Sequence, residues 1–298
     1  MSMKRIKPGE VATGVLHSYM LGAIAPRPIA FASTVDKDGN PNLSPFSFFN
    51  AFGSNPATIV FSPARRVRGN TTKDTLDNCL ETKEVVINVV NYDLVQQSSL
   101  SSTEYPKGVD EFVKAGLTKL ESELIKPFRV KESPVQMECK VIDVISMGEE
   151  GGAANLIICE ILLMHVSEDI LDANGVIDPN KIDLVGRMGG DWYSRASGNA
   201  IFKVAKPTGK GIGIDALPEN IRDSDILTGN DLGKLGNVEA LPTAEEIEAF
   251  KQQPGIKKIL EVHKRDKKEL EKILHQNAQQ LLEAGNVVDA WKLLLSLE

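Results

Sequence analysis

Short apolar runs cut by turn-forming residues dominate the chain from Arg27 to about Val166. Their β-branched and aromatic content, and the Gly, Pro, Asn and Asp that bound them, predict strands. The first run spans Arg27 to Val35. Asp36-Lys37-Asp38-Gly39-Asn40 then predicts a hairpin turn, because Gly and Asn tolerate positive φ. The next run, Asn42 to Phe52, carries Phe46, Phe48, Phe49 and Phe52; Pro45 within it cannot donate to a ladder, so an edge position or a bulge is expected there. Thr58 to Ser62, bracketed by Pro56 and Pro63, predicts a third strand. Thr71 to Thr82 reads as a helix: Thr71 can cap it, Asp74 completes a capping box, and Leu76 and Leu80 share a face. A strand over Glu84 to Val90 and a helix over Tyr92 to Thr103 follow. Two long strands, Gln136 to Met147 and Asn155 to Ser167, are joined by Gly148-Glu149-Glu150-Gly151-Gly152. Many strands, two interposed helices and no regular βα alternation predict a mainly β fold with helices: a closed antiparallel barrel.

The pattern changes beyond residue 206. Residues 1–206 are expected to form the barrel domain, and 207–242, rich in Gly, Pro, Asn and Asp, an extended wrapping segment or linker. From 243 to 298 the apolar period becomes helical. Thr243 with Glu246 makes a capping box, and Ile256, Ile259, Leu260, Leu270, Ile273, Leu274, Leu281 and Leu282 keep the period until Gly285 stops it; Val287 to Leu297 makes a further helix. The expected extension is a helical hairpin whose apolar face needs a partner: the barrel, a second copy or another protein.

Composition narrows the function classes. A net charge of −7 argues against a nucleic-acid surface, which draws affinity from clustered Lys and Arg. The most apolar long stretch, Ala153 to Val166, is too short to span a bilayer and contains Glu160, and MSMKRIKPGEV is followed by no signal-peptide core, so no membrane association and a cytoplasmic location are expected. Three widely spaced cysteines, Cys79, Cys139 and Cys159, without a CxxC motif, predict reduced core thiols, and the four histidines show no metal-ligand spacing. Glu138 and Glu160 are expected to be solvated residues on strand faces.

Three pieces of sequence in fixed order carry chemistry. They are Pro26-Arg27-Pro28-Ile29-Ala30, Gly39-Asn40-Pro41-Asn42-Leu43-Ser44-Pro45-Phe46-Ser47-Phe48-Phe49-Asn50, and Lys73-Asp74-Thr75 ahead of the Val85-Val86-Ile87-Asn88-Val89 strand. Over roughly residues 15 to 200 the chain resembles the flavin reductase-like family of FMN-binding split barrels, which includes reductase components of two-component monooxygenases and the flavoredoxins. The resemblance implies bound FMN, NADH or NADPH as transient co-substrate, and a homodimer with FMN at or near the subunit interface. It also implies a free flavin or small-molecule acceptor, with a monooxygenase or electron-transfer partner left open. A flavoredoxin-like electron-transfer protein with little nicotinamide activity is the alternative, and a scaffold dominated by the helical tail a third.

The residues make physical sense for such a ligand. A terminal phosphate dianion needs cations, hydroxyls and free amides, which a helix N-terminus gathers in one place. Lys73, Asp74 and Thr75 are the leading candidates, with Ser62 and Arg65 or Arg66 approaching from the preceding loop. The resemblance assigns the Asn42 to Asn50 run to the ribityl chain and ring edge. Period two puts Asn42, Ser44, Phe46 and Phe48 on one side, and a bulge at Pro45 would turn both Ser44 and Ser47 to the ligand. Arg27, Pro28, Ile29, Ser33 and Thr34 on the first strand complete the expected cofactor set. No catalytic side chain is expected, because hydride passes directly from nicotinamide to flavin. Gly211-Ile212-Gly213-Ile214-Asp215-Ala216 matches a dinucleotide fingerprint in form only, since Leu217-Pro218 blocks the helix it would need. Arg187 to Tyr193 either closes over the flavin or packs as a surface turn.

Overall fold

The computed structural model describes residues 2–207 and 209–297 and divides into two compact units, Met1–Phe202 and Lys203–Glu298. In the first, α1 (Thr13–Ala23) precedes β1 (Ala30–Val35), β2 (Pro41–Phe46), β3 (Phe49–Ser54) and β4 (Ala57–Phe61). Next come α2 (Asp74–Thr82), β5 (Glu84–Val89), α3 (Val95–Leu100), α4 (Glu111–Ala115) and the short ribbon β6 (Lys119–Leu120) and β7 (Arg129–Val130). The long strands β8 (Val135–Ser146) and β9 (Asn155–Val166) follow, then α5 (Pro179–Ile182) and the hairpin β10 (Leu184–Arg187) and β11 (Tyr193–Ala196).

Seven strands make one sheet in the order β2-β1-β5-β8-β9-β4-β3, with every neighbouring pair antiparallel. Consecutive strands β2 and β3 therefore stand at opposite edges, joined only by Ser47 and Phe48. Laid flat, those edges would lie about 29 Å apart at the usual strand spacing, whereas three Cα–Cα steps reach at most about 11 Å. The sheet must curl until its two edges meet. The result is the antiparallel barrel that the strand pattern predicted, with an unladdered seam at Ser47–Phe48. The single run expected from Asn42 to Phe52 is thus two strands, with Pro45 on the edge strand β2 opposite Phe31.

Two apolar clusters flank β1. Ala30 and Ala32 join Ile59, Phe61, Val85, Ile87, Met137 and Ile157 inside the barrel; Ile29 and Phe31 join Leu43, Val90, Leu94, Phe112 and Val130 outside it. Burial on both faces explains the unbroken apolar stretch Ile29 to Ala32 at its start. Cys79, Cys139 and Cys159 all lie in the inner cluster as free thiols. Burial pushes their ionisation up, to about 12 for Cys159.

Glu138 corrects the expectation of a solvated carboxylate. Its side chain is fully buried and accepts from the amides of Glu123 (2.9 Å) and Leu124 (2.7 Å) and from His165 Nε2 at 2.8 Å. Burial alone would raise its pKa; the two amides and His165 outweigh that and hold it below the ordinary carboxylate range. Period-two alternation cannot foresee that residues 121–128 fold back over this strand position.

The second unit contains α6 (Glu219–Arg222), α7 (Gly229–Gly236), α8 (Ala244–Lys251), α9 (Pro254–Val262), α10 (Lys267–Glu283) and α11 (Val287–Leu294). The segment expected to be an extended wrap or linker instead supplies two of these helices. Its Leu217, Ile221, Leu227 and Leu235 are buried with Leu274, Leu282 and Trp291 in one cluster. Here Thr228 and Asp231 form a full capping box, a signal that outweighs the loop-like composition. The extension beyond Thr243 holds four helices rather than a hairpin, because Pro254 starts α9 and Asp266 caps α10. Trp291 is fully buried, with Nε1 donating to the Leu235 carbonyl at 3.1 Å. Part of the partner for the hairpin's apolar face is thus residues 217–235 of the same unit. Among the described residues, no helix is long and apolar enough to cross a membrane.

Candidate functional site

Register decides which β2 side chains meet α2. Asn42 pairs with Thr34 and Ser44 with Ala32, so both lie on the α2 side of the sheet, while Leu43 and Ser33 share the opposite face. Asn42 Nδ2 donates to Thr75 Oγ1 at 2.8 Å and to Thr34 Oγ1 at 3.3 Å, and Asn78 Nδ2 donates to Thr34 Oγ1 at 3.0 Å. This buried polar square fixes the start of α2 against the sheet. A small cavity of about 30 Å³ opens beside it, lined by Asn42, Ser44, Arg66, Lys73 and Thr75 together with Glu104 and Glu111.

The helix begins later than the sequence predicts. Thr71 does not cap it: its hydroxyl accepts from Arg66 Nη1 at 3.0 Å, and the same nitrogen donates to the Thr72 carbonyl. Those bonds hold residues 71–72 in the loop, and Lys73 becomes the N-cap, in extended conformation (φ −97°, ψ 144°), with no side chain capping the first turn. Uncapped first-turn amides at the positive end of the helix dipole therefore face the cavity region. Lys73 is largely enclosed; burial first, and then the nearby Arg66, lower its pKa, against the opposing pull of Glu104 and Asp74. Glu104 Oε1 lies 2.9 Å from Arg66 Nε and 3.9 Å from Lys73 Nζ. Glu111 accepts from the Leu43 amide at 3.0 Å, and burial raises its pKa.

Of the sequence-predicted residues, Asn42, Ser44, Lys73, Asp74 and Thr75 line this cavity and Thr34 supports it from behind. The others stand elsewhere. Arg27 is buried with its guanidinium committed: Nη1 donates to the Leu21 and Ile24 carbonyls (2.8 and 2.7 Å), Nη2 to Met188 (2.9 Å) and Nε to Ser47 Oγ (3.3 Å). It ties the end of α1 to the β10–β11 hairpin, which corrects its assignment as a ligand cation and accounts for Ser47. Pro28 is exposed, Ile29 sits in the outer cluster, and Ser33 is buried with no hydrogen-bond partner for Oγ among the described residues. Phe46 packs in the barrel core against Phe61 with centroids 5.7 Å apart, and Phe48 meets His17 edge-on at 6.2 Å. Asn50 is exposed on β3, and its side chain accepts from the Ala51 amide. Ser62 is buried and accepts from the Asn155 amide at 3.2 Å. Arg65 is held by Asn70, through its side-chain oxygen and its carbonyl, both at 2.7 Å. The loop thus presents Arg66, not Arg65, to the cavity.

Sequence reasoning left the choice between the two arginines open and missed Glu104, Glu111 and Asn78. The only local signal was the polar run Ser101 to Glu104 after α3, which pattern reading largely absorbs into a helix. The hairpin of β10 and β11 carries Trp192, 77% exposed, and stacks the Arg187 guanidinium over Tyr193 at 4.6 Å.

Comparison with known proteins bears on this geometry. Residues 21–181 match the family model described as a flavin reductase like domain. An uncharacterised protein from Aquifex aeolicus is 39% identical over 189 residues, covering 63% of this chain and 94% of its own. Among solved structures, nitrilotriacetate monooxygenase component B from Bacillus cereus is 30% identical, with a TM-score of 0.64 over 68% of this chain and all of that one. The flavoredoxin of Desulfovibrio vulgaris shares the fold at 23% identity and a TM-score of 0.53, over 69% of this chain and 98% of that one.

Proposed function

The chain belongs to the flavin reductase-like family of FMN-binding split barrels, and on that premise we propose that it is an NAD(P)H-dependent flavin reductase that binds FMN at the start of α2. One observation carries the placement: two cations, Arg66 and Lys73, converge with the Thr75 hydroxyl and an uncapped helix terminus on a single cavity. That donor set suits a phosphate monoester dianion. In this reading Arg66 and Lys73 neutralise the phosphate, Thr75 and the first-turn amides donate to its oxygens, and Asn42 and Ser44 along β2 meet the ribityl hydroxyls. Bound FMN would supply the redox chemistry, accepting hydride from NADH or NADPH and passing electrons to free flavin or another small-molecule acceptor, including one used by a monooxygenase partner. The chain's part is to hold and orient, and no side-chain acid or nucleophile is assigned.

A homodimer belongs to the same proposal. No residue of α1 is buried, Val15, Tyr19 and Met20 on it and Ile24 at its end are each more than 40% exposed, and the edge strand β3 presents Phe52 at 68%. Apolar surface of this kind supports burial against a second copy.

The test is direct. Protein loaded with FMN and mixed with NADH or NADPH and free flavin under air should consume nicotinamide, with Lys73→Ala lowering FMN occupancy. A protein that holds FMN but oxidises neither nucleotide would instead be the flavoredoxin-like electron carrier.

A further inference from the structure

We infer that Glu104 is an exchange carboxylate, competing with the flavin phosphate for Arg66 and Lys73 and so keeping the bound flavin replaceable. The inference rests on the phosphate placement proposed above. Glu104 bridges both cations, at 2.9 Å to Arg66 and 3.9 Å to Lys73. Among the described residues no other carboxylate lies within 4.0 Å of either one. The side chain is 66% exposed, so it reaches water by rotation without breaking any core contact. The cavity beside it is small, at about 30 Å³, and Glu104 is one of its lining residues. A phosphate that engages both cations competes with this carboxylate for them.

Charge sets the direction of the exchange. With Glu104 in place the two cations retain one net positive charge; a phosphate dianion neutralises both, and the displaced carboxylate regains full hydration. The dianion therefore wins at sufficient concentration, but its apparent affinity is reduced by the fraction of molecules in which Glu104 holds the cations. A half-exposed ion pair of this kind corresponds to a factor of roughly three to six. Flavin leaving the site finds its cations re-covered from within, which suits a protein that hands flavin on rather than one that retains it.

Glu104→Gln and Glu104→Ala in the whole 298-residue chain test this. FMN and riboflavin are titrated separately at low salt and at about 1 M salt, where surface ion pairs are largely screened. Both variants should raise the ratio of FMN to riboflavin affinity about three- to sixfold at low salt, slow FMN release in stopped flow, and lose most of that gain at high salt. A ratio unmoved within about twofold, or lowered, while the wild-type chain prefers FMN to riboflavin, overturns the role of Glu104 alone. A wild-type chain that binds no flavin, or prefers neither form, overturns the phosphate placement and this inference together.

Discussion

The barrel unit and the helical unit solve different problems with their buried polar groups. In the helical unit Asp231 closes a capping box, Ser296 bonds one turn back to the Lys292 carbonyl, and His275 bonds Ser224 at 2.7 Å. The first two are local devices that shape and end helices; the third joins α10 to the loop before α7, 51 residues away. In the barrel unit Thr34, Thr75 and Asn78 join strands to a helix, Glu138 anchors a loop, and Arg27 bridges three segments distant in sequence. Buried polar groups cost stability unless paired. In the barrel their long-range pairing specifies where the side chains lining a site stand.

That contrast can be broken experimentally, most forcefully at Trp291. Trp291→Ala should destabilise the helical unit by about 3–5 kcal/mol while leaving FMN affinity within about twofold; calorimetry and a flavin titration read the two. A parallel loss of FMN affinity would show that the units are not energetically separate. At the site, Lys73→Ala or Arg66→Ala should weaken FMN by about 1.5–3 kcal/mol, the range for hydrogen bonds to charged groups, with riboflavin much less affected. Because burial lowers the Lys73 pKa, the wild-type chain should lose FMN affinity at a lower alkaline pH than an ordinary lysine site would, and Lys73→Arg should remove that limb. An identical limb in Lys73→Arg would assign it to another group.

Glu138 sharpens the comparison through pH. Its folded pKa is depressed, so its contribution is present above the ordinary carboxylate pKa and lost as pH falls through the folded value. Glu138→Gln should cost about 1–3 kcal/mol at neutral pH, the gap to wild type closing in acid; urea unfolding across pH measures it. Smallest of all, Arg65→Ala should leave FMN affinity unchanged and shift stability by under about 0.5 kcal/mol, in contrast to Arg66→Ala. Equal losses at both positions would break the assignment of one arginine to the cavity and the other to Asn70.

Much of the barrel was legible because its strands bury side chains at period two or on both faces, as β1 does, and its hairpin turn at Asp36–Asn40 is written in residue types. The seam was not: nothing in Ser47–Phe48 says that the strands on either side go to opposite sheet edges, since that depends on partners, β1 and β4, chosen elsewhere. At the site, Lys73 and Thr75 followed from their place near a helix start. The start itself was misjudged because Arg66, close in sequence, takes the Thr71 hydroxyl that would have capped it. Arg27 was misread for a related reason: a lone arginine in sequence carries no sign of the carbonyls that will surround it. The helical unit's early half was hidden by Gly-, Pro- and Asn-rich composition, which caps short helices as readily as it makes loops.

The seam also sets a timetable. β4 pairs with β3 and with β9, and Thr58 meets Glu160 about a hundred residues further on. At typical synthesis speeds a ribosome needs about 5–20 s to make that stretch, and until it has done so one edge of β4 stays open and the barrel cannot close. Such distant pairings also slow folding from the denatured chain. Until β9 is made, the first sixty or so residues carry an open strand edge, which follows from topology and is independent of any ligand.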